Sequence, residues 1–104
     1  MTSPYLGKKQ GKHAWVLRIS REGCQRSLAR LSSSLNQSGT SCHIDVDEFT
    51  IVGPRGTINV QWGDADGGCM VTVWADPEMQ SMAETIVVDA FLKEGGEPFQ
   101  QSGR

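Results

Sequence analysis

The sequence predicts an α+β domain of two layers, in which a mainly antiparallel four-stranded sheet carries two helices on one face. Three observations lead to this fold class. Residues 57–74 hold two strand-forming runs around a turn-forming tip, residues 13–19 form another strand-like run, and two segments repeat apolar residues at helical spacing. In the predicted β-α-β-β-β-α order, one sheet with both helices against one face is the simplest way to bury these apolar stripes.

The hairpin at 57–74 is the segment around which the predicted fold is built. Its first arm alternates, with the apolar residues Ile58, Val60 and Trp62 separated by polar ones, so one face is buried and the other is wet. The tip reads Gly-Asp-Ala-Asp-Gly-Gly, which favours a turn. An arm, a tip and a second arm in this order predict two antiparallel strands.

The second arm of the hairpin is more apolar than a strand with one buried and one solvent-exposed face requires. If Val71 and Val73 face the helices, Met70 and Trp74 lie on the open face of the sheet. Two interpretations of Trp74 remain at this point. It is either an anchor for a protein interface or a core residue below the start of the last helix.

Two segments have the periodicity of amphipathic helices. The first runs from about 21 to 36, and Ser20 stands at its N-cap. Its apolar stripe consists of Cys24, Leu28, Leu31 and Leu35. The second begins after Asp76, a good N-cap, has Pro77 in its first position, and ends before the glycine pair at 95–96. Each helix has one apolar face and is therefore expected to pack against the sheet.

The segment at 42–52 is extended, but its alternation changes parity at Asp47-Glu48. A bulge within one strand explains this change, and so does a tight turn between two strands. We interpret the segment as one bulged or bent strand, which gives the sheet four strands. A turn at 53–56, Gly-Pro-Arg-Gly, then leads into the hairpin.

The folded part is predicted to be a single domain at 13–94, since a chain of 104 residues fits one domain. Residues 1–12 contain Pro, Gly and three lysines with few apolar groups, which is typical of a flexible basic tail. Residues 95–104 contain glycines, a proline and two glutamines, and they are predicted to form a second flexible tail.

Composition and cysteine usage predict a soluble, cytoplasmic protein. Hydrophobic residues are 38% and charged residues 21% of the chain, and no apolar run reaches the roughly 20 residues that span a bilayer. The N-terminus lacks the apolar centre of a secretory signal. Cys24, Cys42 and Cys69 are odd in number and widely spaced, so neither a disulfide framework nor a zinc knuckle is expected.

Charge is unevenly distributed along the chain, although the net charge is only −2. Residues 1–43 hold seven basic groups and one acid, whereas residues 44–104 hold three basic groups and eleven acids. Such asymmetry marks a charged partner surface, or it pairs the two halves of one fold with each other. Both interpretations stay open on the sequence alone.

No motif for catalysis, a metal ion or a cofactor stands out. The tip at 64–68 resembles a calcium loop only superficially, because it lacks the third oxygen ligand and the later glutamate. Asp45 and Asp47 are expected to share the solvated face of a strand, about 7 Å apart. His13 and His43 are the candidate partners for a cysteine nucleophile, and no pattern places either beside a thiol. We therefore expect no enzymatic activity, metal or cofactor.

The predicted order at 20–94, a helix, three strands and a helix, is similar to that of double-stranded RNA-binding domains. The resemblance covers about three-quarters of the chain and lies in the order of elements. That family binds phosphates through lysines at the start of its final helix. Here the start reads Asp76-Pro77-Glu78-Met79, which repels phosphate, so the resemblance implies no role in RNA binding.

The sequence therefore predicts a small binding module for a protein partner, either an inhibitor or an accessory subunit of a larger complex. The expected contacts lie on the open sheet face, the hairpin and the acidic surface: Asp45, Asp47, Glu48, Gln61, Asp64, Asp66, Met70, Thr72 and Trp74. One alternative is nucleic-acid binding by the basic N-terminal third. Its phosphate or acidic-partner contacts would be Lys8, Lys9, Lys12, Arg21, Arg26 and Arg30. Two further alternatives are a homodimer, formed through a sheet edge or the open face, and a small enzyme of unknown class. No membrane association is expected.

Overall fold

A computed structural model describes residues 3–99 of the chain. This part of the protein consists of one sheet and two helices. In chain order its elements are β1 (Tyr5–Lys9), β2 (Lys12–Ile19), α1 (Arg21–Gln37), β3 (Ser41–Ile44), β4 (Glu48–Gly53), β5 (Gly56–Ala65), β6 (Gly68–Ala75), the C-terminal helix (77–93) and β7 (Glu97–Pro98).

The strands form one antiparallel sheet in the order β1-β2-β6-β5-β4-β3. β7 pairs with the second half of β2, beyond β1. The central hairpin pairs along its length, from Ile58 opposite Ala75 to Ala65 opposite Gly68. The α+β class with an antiparallel sheet and two helices is confirmed, but the described sheet has seven strands where the sequence predicted four.

One added strand comes from the segment at 42–52, whose change of parity is a turn and not a bulge. β3 ends at Ile44, β4 begins at Glu48, and the backbone N–H of Asp45 donates to the carbonyl of Glu48 at 2.7 Å. Ile44 and Phe49 lie opposite each other. The turn places Ile44 and Phe49 on the same face of the sheet, where Phe49 is buried and Ile44 stays exposed. Four strands therefore separate the helices, not the three of double-stranded RNA-binding domains.

Two more strands come from the segments predicted to be tails. β1 lies within 1–12 and joins β2 through the turn Gln10-Gly11, in which both residues have a positive φ, 53° and 80°. Glycine adopts this conformation without strain, so Gly11 allows the tight reversal. β7 lies within 95–104. Short edge strands carry little apolar alternation, which is why the sequence did not predict them. The remaining tail residues, 1, 2 and 100–104, lie outside the described part.

The core lies between the sheet and the two helices. Alternate residues of the central strands are fully buried, among them Leu17, Val60 and Val73. Leu31 of α1 and Phe91 of the C-terminal helix belong to the same apolar cluster. Both helices therefore cover one face of the sheet, and neither covers the other face.

The first helix has the predicted cap. The Ser20 hydroxyl accepts a hydrogen bond from the backbone N–H of Gly23 at 3.0 Å, which satisfies one of the free donors at the helix start. Ser27 is buried one turn further on, and its hydroxyl donates to the carbonyl of Gly23 at 2.8 Å. This polar residue is therefore compatible with the core.

The C-terminal helix changes its winding along its length. It starts with a 3-10 turn at Pro77–Met79, continues as α-helix at Gln80–Met82, widens to a π-helix at Ala83–Val88 and returns to α-helix at Asp89–Lys93. The wider π-helical turn brings residues four and five positions apart onto one side. Its buried residues are Ala83, Val87 and Val88.

Candidate functional site

The face of the sheet that the helices leave uncovered is the candidate site. Its side chains form rows that follow the register of β2, β6, β5 and β4. One row holds Ala14, Trp74, Asn59 and Thr50, and the next holds Val16, Thr72, Gln61 and Glu48. We call these eight residues, together with Met70, the open face. Polar side chains dominate one half of it and apolar side chains the other.

Glu48 orders the polar half of the open face. Its Oε2 accepts hydrogen bonds from the side-chain amide of Asn59 at 2.8 Å and from that of Gln61 at 3.4 Å. The same amide of Asn59 also donates to Thr50 Oγ1 at 3.1 Å. Because each side chain restrains its neighbour, these groups form a connected network across β4 and β5.

Trp74 and Met70 lie on the open face and not below the last helix. In the register, Trp74 stands between Ala14 and Asn59. Trp74 and Met70 are both half-buried, and neither belongs to the apolar cluster between sheet and helices. The structure therefore removes the core interpretation of Trp74, while its contact with a partner stays a prediction.

A cleft of about 500 Å³ lies where β4 begins and the hairpin of β5 and β6 projects past it. It brings together six of the nine predicted contact residues: Asp47, Glu48, Gln61, Asp64, Met70 and Thr72. We call this the acidic cleft. Asp64 pairs with Arg21 at 3.2 Å, whereas Asp47 and Glu48 form no ion pair within residues 3–99.

The other three predicted contact residues lie elsewhere. Asp45 is in the turn between β3 and β4, where its carboxylate accepts the next residue's backbone N–H at 2.8 Å. Asp45 and Asp47 consequently do not share a strand face, which corrects that expectation. Asp66, with a φ of 26°, is at the tip of the hairpin, and Trp74 lines a separate cleft further along the sheet.

Ion pairs join the basic first part of the described chain to its acidic second part. They are Lys12–Asp76, Arg21–Asp64, Arg26–Glu94 and Arg30–Glu94. Glu94 is the best shielded of these acids, with a side chain that is 11% exposed. Its hydrogen bond from Arg26, followed by the charge of Arg30, holds the pKa of Glu94 below its ordinary value. The predicted basic residues are therefore partly engaged within the fold.

The predicted basic residues do not converge on one patch. Lys9 and Lys12 face each other across the first hairpin, whereas the arginines of α1 pair with Asp64 and Glu94. Lys8 lies opposite His13, on the other face. Sequence reasoning missed the facing lysines because it treated residues 1–12 as a tail. A Gln-Gly turn between two short polar runs is the signal that could have found them.

The histidines contact aromatic and polar groups. Tyr5 Oη and His13 Nδ1 are hydrogen-bonded at 2.6 Å, and both rings contact that of Trp15. His43 lies opposite Thr50 near the edge of the sheet. Across residues 3–99, no three potential ligand side chains come close enough together to hold a metal ion.

Comparisons with known proteins assign no family to the chain. Neither a scan against models of protein families nor searches of curated proteins and of solved structures finds a match. In the described part, neither helix is long and apolar enough to cross a membrane.

Proposed function

We propose that this protein is a small binding module without chemistry of its own, which takes a basic, extended segment of a partner protein at the acidic cleft. As an inhibitor or an accessory subunit of a larger complex, it would act in the cytoplasm. The observation that carries the proposal is the cleft itself, in which six of the predicted contact residues meet. Three further features support it.

The first supporting feature is an unpaired strand edge. The pairing of β5 with β4 ends at Gln61, opposite Glu48, while its pairing with β6 continues to Ala65. Gly63 and Asp64, between these two limits, are exposed. The backbone N–H of Trp62 still donates to the carbonyl of Asp47 at 3.2 Å. Beyond this bond, β5 has no strand beside it on this side within residues 3–99. An extended peptide satisfies the backbone groups of such an edge by adding a strand.

The second feature is the charge around this edge. Asp47 and Glu48 supply two carboxylates that have no basic partner within residues 3–99. A Lys or Arg of the incoming segment would compensate them, and complementary charge accelerates association. A segment with acidic side chains would be repelled at the same place.

The third feature is apolar surface beside the carboxylates. Met70 lines the acidic cleft from the open face and is half-buried, whereas Trp62 lines it from the other face of β5 and packs against the core. A partner side chain that covers Met70 removes apolar surface from water, which is the main favourable contribution at the centre of protein interfaces. Together, the edge, the charges and the apolar groups favour a basic strand with at least one apolar side chain.

The proposal is tested with Asp47→Lys and a matched control, Glu84→Lys. Both residues are exposed acids, but Glu84 is on the C-terminal helix, away from the cleft. Each protein, beside the wild type, serves as bait for capture from the native host. We expect a partner that the wild type and Glu84→Lys recover and Asp47→Lys loses.

A selection of displayed random peptides on the wild type checks the chemistry of the partner. Enriched peptides should carry Lys or Arg among strand-forming residues and should bind Asp47→Lys about tenfold more weakly, which is a difference of about 1.4 kcal/mol. Enrichment of acidic peptides, or equal binding to Asp47→Lys and Glu84→Lys, would refute the proposed site.

A further inference from the structure

Lys9 and Lys12 are a pair of like charges in the sheet. They lie directly opposite each other where β1 meets β2, so their Cβ atoms are about 5 Å apart on one face. The turn at Gln10-Gly11, with its two positive φ angles, holds them in this register. Like charges directly opposite are destabilising, and an anion between the two ammonium groups would remove the repulsion.

One acid, Asp76, lies near this pair, and it is shared with another group. Its Oδ1 is 3.7 Å from Lys12 Nζ, and the Lys12 side chain remains 45% exposed. Its Oδ2 accepts hydrogen bonds from the backbone N–H and the hydroxyl of Thr57. The carboxylate contacts Lys12, and Lys9 forms no ion pair within residues 3–99, so the two lysines and Asp76 together carry one uncompensated positive charge.

An aromatic wall and a hydrogen-bond acceptor adjoin the lysines. A cleft of about 380 Å³ is lined by Lys9, Lys12, Asn59 and Trp74, among others, and this volume is in the range of small-ligand pockets. Trp74 is half-buried, so part of its indole is accessible. The amide nitrogen of Asn59 donates to Glu48 and Thr50, while its carbonyl oxygen accepts no hydrogen bond from the described residues.

We propose that this cleft binds a nucleotide, whose phosphate lies between Lys9 and Lys12 and whose base stacks on Trp74. Ammonium groups compensate phosphate charge, every nucleobase has a face that stacks on an indole, and the Asn59 oxygen can accept a base N–H. The ligand is either a free nucleotide or one unit of a single strand, since both present the same chemistry. The cleft shares no lining residue with the acidic cleft, so this proposal goes beyond the proposed function and does not depend on it.

The test titrates the full chain at low salt with ATP and with labelled oligonucleotides of thymine or adenine. Lys9→Gln and Lys12→Gln remove one charge each, and Trp74→Leu removes the ring. Lys93→Gln is the control, because that lysine pairs with Asp89 on the C-terminal helix, at 3.0 Å. We expect each of the three cleft variants to weaken binding at least about tenfold and Lys93→Gln to bind like the wild type.

The salt dependence identifies a phosphate contact. For an oligonucleotide, the slope of log affinity against log salt should fall by about one for each lysine variant. Equal affinities for ATP and the oligonucleotide would support a free nucleotide as the ligand, and binding of the oligonucleotide alone would support a single strand.

Two results would overturn the proposal. They are the absence of binding of either probe at low salt, and equal binding by the lysine variants and Lys93→Gln. If Trp74→Leu does not fold, the two lysine variants still test the proposal. Both should fold, because Lys9 is exposed and Lys12 keeps 45% of its side chain exposed.

Discussion

The Asp76 carboxylate accepts hydrogen bonds from the backbone N–H of Thr57 at 2.8 Å and from its hydroxyl at 3.3 Å. Asp76 has the sequence position of an N-cap for the last helix, yet its side chain makes no capping bond there. It instead ties the end of β6 to the start of β5. The bond from Thr57, assisted by Lys12, holds the pKa of Asp76 below its ordinary value of 3.8.

Acid should therefore remove a defined part of the stability. A carboxylate with a lowered pKa in the folded state stabilises the fold above its unfolded pKa, and this contribution disappears as the pH falls through the folded pKa. We expect thermal unfolding of wild type and Asp76→Asn to differ most near neutral pH and to converge below pH 3.8, the ordinary value for Asp76. Asp66→Asn, at the exposed hairpin tip, is the control and should follow the wild type throughout.

The thiols should differ in reactivity. Burial, with a smaller contribution from neighbouring Cys69, raises the pKa of Cys24 to about 12. Because the thiolate is the reactive form, Cys24 should resist alkylation in the folded protein, whereas half-buried Cys42 should react. Native alkylation followed by denaturation, a second label and mass spectrometry distinguishes them. Labelling of Cys24 before Cys42 would contradict the burial of this thiol.

High pH should weaken the fold through the same thiol. The folded pKa of Cys24 is above its ordinary 9.0, so its contribution is complete below that value and is lost as the pH rises toward about 12. We expect wild-type stability to fall relative to Cys24→Ala over this range, by at most about 1.4 kcal/mol per pH unit. Urea unfolding of both proteins at several pH values measures the difference, and parallel pH profiles would count against it.

Gly23 should resist replacement although it stands in a helix. A Cβ at Gly23 would lie 2.8 Å from the backbone oxygen of Glu94 and 2.9 Å from Cγ1 of Ile19. Helix propensity alone predicts that Gly→Ala stabilises by about 1 kcal/mol. We expect Gly23→Ala to destabilise instead, because backbone cannot yield as a flexible side chain does. Denaturant unfolding compares it with Gln25→Ala, an exposed neighbour that should be near neutral, and a gain for Gly23→Ala would disprove the close packing.

Substitution of Trp15, in the core, should cost more stability than substitution of Trp74, on the surface. Trp15 is 1% exposed and belongs to the core, so Trp15→Ala should destabilise by about 3–5 kcal/mol. Trp74 lies on the open face, and Trp74→Ala should cost clearly less while the fold persists, as circular dichroism and thermal unfolding would show. Equal losses for the two variants would place Trp74 in the core and remove it from the binding surface.

Local sequence patterns were sufficient to predict the central elements of the fold. The alternation of Ile58, Val60 and Trp62 predicted β5, and the stripe from Cys24 to Leu35 predicted α1, because periods of two and 3.6 residues follow directly from backbone geometry. The sequence assigned Gln61 to the open sheet face and Asp47 to an acidic surface, and it did not predict that both line one cleft. Their actual proximity depends on the register between β4 and β5.

By itself, then, the sequence determined the α+β class, the hairpin of β5 and β6, the two helices and the wet face of β5. Only the tertiary structure decided that β1 and β7 join the sheet, that Trp74 lies away from the helices and that Asp76 binds Thr57 instead of capping. The physical reason is the distance along the chain between the residues that interact. Hydrophobic periodicity is a property of neighbouring residues, whereas strand order and the partner of a carboxylate depend on groups that are distant in the chain and meet only after folding.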